Sequence, residues 1–171
     1  DKIDVTLQQL GLTSLINRKK PTPLDEAKNI IYTLRHVYYQ AAGDLYSYIK
    51  GSIGNEYYNN PDIIKLGFWP GGDRDGNPFV TAEITRDVAD ELRTTLMKCY
   101  YNDLKALQKK LSFRGVHEVV QQLRAKVYKA MFDTRASLPY EELIDPLLGI
   151  RRTLIEEYHG LYLKDLDDFI D

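Results

Sequence analysis

The sequence predicts an all-α fold interrupted by one long irregular loop, and three observations predict it. Apolar residues recur at three-and-four spacing through most of the 171 residues, the period that lays them along one face of a helix. Start signals precede these runs, most clearly at Pro21-Thr22-Pro23-Leu24-Asp25. Proline and glycine gather in one region, Asn55 to Pro78, which holds Pro61, Pro70, Pro78 and four of the eleven glycines.

The elements follow in order. Ile3, Leu7, Leu10, Leu15 and Ile16 predict a short first helix from Ile3 to Ile16, loosened by Gly11. At the second start Thr22 caps with its hydroxyl, Pro23 suits the first turn, and Asp25 stands three residues past the cap. Ala27, Ile30, Ile31, Leu34, Val37, Tyr38, Ala41, Leu45, Tyr48 and Ile49 then hold helical spacing for many turns, with Gly51 and Gly54 as stopping points. Inside the irregular region, Ile63 to Trp69 is short, apolar and β-prone, and fits either one buried strand or an extended segment feeding the loop.

Helical spacing resumes after Val80, with Thr81 or Thr85 as the cap and Val88, Leu92, Leu96, Cys99, Leu104, Leu107 and Leu111 as the stripe. Ser112 to Gly115 predicts a turn, and Val116, Val119, Val120, Leu123, Val127, Ala130 and Met131 another helix. A further helix starts near Pro139 and continues through Leu143, Leu147, Ile150, Leu154, Ile155 and Tyr158, with a kink or restart expected at Pro146. Gly160 separates a last short piece ending at Ile170. No repeat or domain boundary divides residues 1–171, so one helical unit is expected, with a functional loop at 67–81.

Composition narrows the function. The net charge of −2 gives no basic field for nucleic acid or an anionic membrane, and Arg18-Lys19-Lys20 reads as a solvated loop. No apolar stretch approaches membrane-spanning length, and the N-terminus is acidic and mixed, unlike a signal peptide. The single cysteine, Cys99, cannot form an internal disulfide, and a cytoplasmic location is the expectation. Tyrosine is abundant, with pairs at Tyr38-Tyr39, Tyr57-Tyr58 and Tyr100-Tyr101 that suit contacts between elements.

Gly71-Gly72-Asp73-Arg74-Asp75-Gly76-Asn77-Pro78 carries the most chemical information. One reading is a tight turn with an internal Asp–Arg pair. A phosphate loop would need Lys followed by Ser or Thr, which is missing. A calcium loop starting at Asp73 would need Gly at its sixth position and Glu at its twelfth, but Pro78 and Ile84 stand there. The glycines do not match a dinucleotide fingerprint. What remains is an arginine between carboxylates on a glycine-permitted turn, able to present its fork to a phosphate or carboxylate.

Phe68 to Pro78, continued by Val80-Thr81-Ala82-Glu83-Ile84-Thr85-Arg86-Asp87-Val88, is similar to a signature of phosphoenolpyruvate carboxylases. Lys20-Pro21-Thr22-Pro23-Leu24-Asp25-Glu26-Ala27 resembles a second block of that family, in the right order and at the right distance. The resemblance implies an enzyme that adds bicarbonate to phosphoenolpyruvate, giving oxaloacetate and phosphate, with Mg²⁺ as cofactor. It implies a homotetramer built on a strand barrel surrounded by helices, from which this chain would be an excised helical fragment. Ile63 to Trp69 would then be one barrel strand, and the glycine loop its strand-end loop. Carried over, Trp69 would border the apolar pocket for carbon dioxide. Arg74 is the catalytic candidate, and Asp73, Asp75 and Asn77 would shape the substrate-facing wall.

The chain also departs from the family. The family's catalytic histidine is followed by Pro-Thr, whereas His36, His117 and His159 are not, and these read as surface or packing histidines. The family's metal carboxylates and most of its phosphate-binding arginines lie beyond the segment resembled, so no metal ligand is expected here. One strand cannot close a barrel. The chain by itself is expected to be inactive. Two other readings stay open: a stand-alone helical binding or regulatory module with an anion-binding loop, and a remnant that assembles with a true carboxylase.

Overall fold

The computed structural model describes residues 1–14, 20–53, 64–133 and 138–170. Their regular structure is entirely helical: α1 (Lys2–Leu12), α2 (Pro23–Thr33), α3 (Tyr39–Ile53), α4 (Ala82–Lys110), α5 (Val116–Phe132), α6 (Tyr140–Glu156) and α7 (Leu163–Ile170). The predicted second helix is α2 and α3 joined without interruption through a π-helical turn at Leu34–Tyr38. Among the described residues no strand forms. Residues 64–69 run as irregular backbone, and Ile63 lies outside the described residues, as do Leu15, Ile16 and Gly54.

The capping chemistry follows from the local sequence. Thr22 Oγ1 accepts from Asp25 N (3.2 Å), while the Asp25 carboxylate accepts from Thr22 N (3.0 Å) and Thr22 Oγ1 (2.7 Å). This capping box satisfies donors that the first helical turn leaves without partners. Thr81, not Thr85, caps α4, accepting from Ile84 N at 3.3 Å.

At 29 residues, α4 spans roughly 44 Å and organises the packing. It packs against α5 on one side and α2 on another, α6 packs against α5, and α7 closes on α6 and α4. Leu104, Leu107 and Leu111 meet Val116, Val120, Leu123 and Val127, and Leu143, Leu147, Ile150, Leu154 and Leu166 complete the core. Burial of a leucine or valine of this kind is worth about 1.5–3 kcal/mol. Arg151 clamps Asp167 through Nε–Oδ1 (2.7 Å) and Nη2–Oδ2 (3.4 Å), fixing α7 on α6. Arg93 Nη1 donates to Ala130 O (2.6 Å) in the last turn of α5, tying α4 to α5.

Pro146 does not restart its helix, because α6 continues from Tyr140 to Glu156. The proline costs about 3 kcal/mol. The buried stripe Leu143, Leu147, Ile150 and Leu154 outweighs that cost. The long stripe running through α2 and α3 is also not uniformly internal. Ala27 and Ile31 are buried, but Val37, Tyr38, Leu45 and Tyr48 are about half exposed or more. α1 buries none of its residues.

Candidate functional site

Gly71 fixes the loop to α4. Gly71 is buried with φ +76°, in the left-handed region that glycine occupies without strain. A Cβ there would stand 2.6 Å from Val88 Cγ2, so the position also requires the absence of a side chain. The Gly71 carbonyl accepts a hydrogen bond from Thr85 Oγ1 at 2.7 Å. Thr85 therefore reaches back across 14 residues to the loop.

From that anchor the chain makes two consecutive turns. The Trp69 carbonyl accepts from Gly72 N (3.1 Å) and Asp73 N (3.3 Å). Asp73 Oδ1 then accepts from Asp75 N at 3.0 Å, closing the turn. Arg74 O accepts from Asn77 N (3.4 Å), Gly76 takes φ +68°, and Asn77 Oδ1 accepts from Phe79 N (3.1 Å). Asn77 O accepts from Val80 N (3.2 Å), and the helix begins two residues later.

The candidate residues thus divide by what they touch. Asp73 and Asn77 brace the turn from within. Asp75 and Arg74 are exposed, and among the described residues Arg74 forms no ion pair with Asp73 or Asp75. The internal Asp–Arg pair considered from sequence is absent because Asp73 faces the Asp75 amide instead. Trp69 is 74% exposed and Phe79 68%, two large apolar side chains flanking the turn.

Beside the loop lies a cleft of about 1170 Å³, with Leu66, Gly67 and Phe68 on one wall and Tyr39, Cys99 and Asp103 on another. Tyr39 Oη donates to Asp103 Oδ2 at 2.6 Å. Burial, and then the Asp103 carboxylate, push the Tyr39 phenol well above its ordinary pKa. Burial also pushes the Cys99 thiol up, with the Arg35 charge opposing it. The histidines sit elsewhere: the His36 ring lies tilted against Tyr32 with centroids 4.3 Å apart, His117 Nε2 pairs with Gln108 Nε2 at 3.2 Å, and His159 is exposed at φ 52°. Among the described residues, no three His, Cys, Asp or Glu side chains converge as a metal site would require.

From sequence, Thr85 is a candidate cap and Val88 part of a stripe, both inside the family-like block Val80 to Val88, and neither is linked to Gly71. The signal that links them is their spacing from Gly71 on the first turns of α4, and only the folded chain shows that they meet it.

Among the described residues, a helical scaffold thus presents an exposed Arg74, without an ion pair to Asp73 or Asp75, on a turn anchored at Gly71 and braced by Asp73 and Asn77. The family model described as phosphoenolpyruvate carboxylase matches residues 1–147. The chain belongs to the phosphoenolpyruvate carboxylase family. It is 28% identical over 160 residues to the phosphoenolpyruvate carboxylase of Shewanella halifaxensis, covering 90% of this chain and 17% of that protein. It is 32% identical over 162 residues to that of Psychromonas ingrahamii, covering 90% and 18%. It is 36% identical over 110 residues to that of Alcanivorax borkumensis, covering 62% and 12%. The chain therefore spans less than a fifth of the length of these curated relatives. No solved structure matches it. No helix among the described residues is long and apolar enough to cross a membrane.

Proposed function

We propose that residues 1–171 form one helical unit of a phosphoenolpyruvate carboxylase and contribute the loop at 67–81 to its active site. The parent enzyme adds bicarbonate to phosphoenolpyruvate and releases oxaloacetate and phosphate. Bicarbonate attacks the phosphoryl group, giving carboxyphosphate and an enolate. Carbon dioxide is then freed in place, and the enolate carbon captures it. Such chemistry needs fixed positive charge near the phosphate and an apolar, water-poor space for carbon dioxide.

In this reading Arg74 places its guanidinium toward the anionic reactants, and Asp75 stands beside it. Asp73 and Asn77 hold the turn that aims it. Trp69 gives the apolar wall of the carbon dioxide space, which the rest of the enzyme closes. The observation that carries the reading is the exposed Arg74, which among the described residues forms no ion pair with Asp73 or Asp75, on a braced turn in a chain of this family. In this reading the parent's Mg²⁺ is held by residues outside this segment. The parent is a cytoplasmic homotetramer, and the 171-residue chain alone does not carboxylate.

The test is oxaloacetate formation by the full-length polypeptide carrying this segment, supplied with phosphoenolpyruvate, bicarbonate and magnesium, wild type beside Arg74→Ala. Loss of several orders of magnitude in kcat/KM, with the fold intact, supports a catalytic role for Arg74. A nearly normal variant makes the loop scaffolding. An inactive wild type brings forward a helical module whose exposed Arg74 binds anions without carboxylation.

A further inference from the structure

We propose that Thr85 is a positioning residue for the loop, and that its hydroxyl sets the direction in which Trp69 and Arg74 are presented. The assignment of a purpose to that direction rests on the carboxylase reading above, whereas the positioning itself rests on geometry. A threonine inside a helix ordinarily turns its hydroxyl to the carbonyl four residues earlier. Thr85 has that acceptor, Thr81 O, at 3.1 Å, but its shorter contact is to Gly71 O at 2.7 Å. It carries one hydrogen to share between them, and the shorter distance gives the greater share to the loop.

The acceptor is the point through which the loop's direction is transmitted. Gly71 follows Trp69 by two residues and precedes Arg74 by three. Its backbone is already confined by Val88 on one side. Val88 blocks motion toward α4, but a van der Waals contact does not resist rotation of the peptide plane. A hydrogen bond to the carbonyl does. The Asp73 and Asn77 bonds fix the shape of the turn internally but do not tie it to anything else. The Thr85 bond and the Gly71–Val88 packing both tie the loop to α4 at Gly71.

Trp69 is the one tryptophan of the chain and stands in this loop, so its fluorescence reports loop orientation without any turnover. The experiment measures Trp69 anisotropy and acrylamide quenching in the full 171-residue chain for wild type, Thr85→Val, Thr85→Ser and Thr81→Ala. Thr85→Val keeps the shape and removes the donor, whereas Thr85→Ser keeps the donor. The expected result is lower anisotropy and faster quenching in Thr85→Val alone, with unchanged far-UV circular dichroism. Thr81→Ala removes the α4 cap without removing the Gly71 bond and serves as the control for general loosening of the helix start. Wild-type anisotropy in Thr85→Val overturns the proposal, and so does an equal fall in Thr81→Ala. If Thr85→Val does not fold, Thr85→Ala replaces it in the same comparison. Since no carboxylation is measured, failure here is separable from failure of the Arg74→Ala assay.

Discussion

Gly71 lies against Val88 so closely that a Cβ on the glycine would stand 2.6 Å from Val88 Cγ2 and 3.0 Å from its Cβ. That contact joins the irregular loop to α4, the longest helix among the described residues. It accounts for a glycine at 71 twice over, by positive φ and by space.

Gly71→Ala should therefore destabilise the loop, at a cost of about 1–3 kcal/mol for a non-glycine residue held in the left-handed region against a packed neighbour. Val88→Ala in the same background should recover part of that cost, since it removes the clashing methyls. Urea unfolding of the single and double variants measures this as a coupling energy. Additive costs would mean that the two residues do not share the contact.

Tyr39→Phe should cost about 1–2 kcal/mol, because it leaves the partly buried Asp103 carboxylate without its donor. The effect has a pH signature. The folded state raises the Tyr39 pKa above its ordinary 10.0, so the folded chain holds this proton more tightly than the unfolded chain. The stabilisation is complete below pH 10 and is lost as pH rises beyond it. The stability gap between wild type and Tyr39→Phe should narrow above pH 10 in denaturant titrations. A constant gap would show that the phenol proton is not linked to folding.

Asp25 works in the opposite direction. The Thr22 hydroxyl, then the Thr22 backbone N–H, holds its carboxyl below the ordinary 3.8. Its contribution to the start of α2 is present above pH 3.8 and disappears as pH falls through the lower folded value. An NMR titration of the Asp25 carboxyl should show a midpoint below 3.8, and Asp25→Ala should fray the first turn of α2 at neutral pH. A midpoint at or above 3.8 would count against the capping box in solution.

Cys99 should be slow to modify. It is 7% exposed, and burial raises its thiol pKa, so both access and thiolate fraction are low. Labelling with a disulfide reagent at neutral pH should be slower than in urea by on the order of tenfold or more. Equal rates would mean that the cleft beside Cys99 opens freely.

The π-helical turn shows where sequence reading stopped. Apolar spacing from Ala27 to Ile49 predicts an uninterrupted helix, and the chain is helical throughout that stretch. Spacing alone does not reveal a turn one residue wider, because the decision depends on which partners the flanking residues find. Here Ile31 packs inward before the turn and Tyr39 reaches Asp103 after it, 64 residues away in sequence. The candidate loop divides in the same way. Its residues and their family resemblance were legible, as was the alternation of acid and base. Which carboxylate would face Arg74 was not, because Asp73 had a nearer donor in the Asp75 amide.

By itself, the sequence determined the helices, the Thr22 cap, the position of the irregular region and the family. These rest on local periodicity, on side chains bonding backbone two or three residues away, and on an ordered string of residue types. Only the tertiary structure decided that Thr85 serves the loop, that Val88 fills the space beside Gly71, and that residues 64–69 form no strand. It also decided that α1 and much of the α2–α3 stripe stay uncovered. Each of these depends on what arrives from elsewhere in the chain, and an amphipathic pattern specifies a face without specifying what meets it.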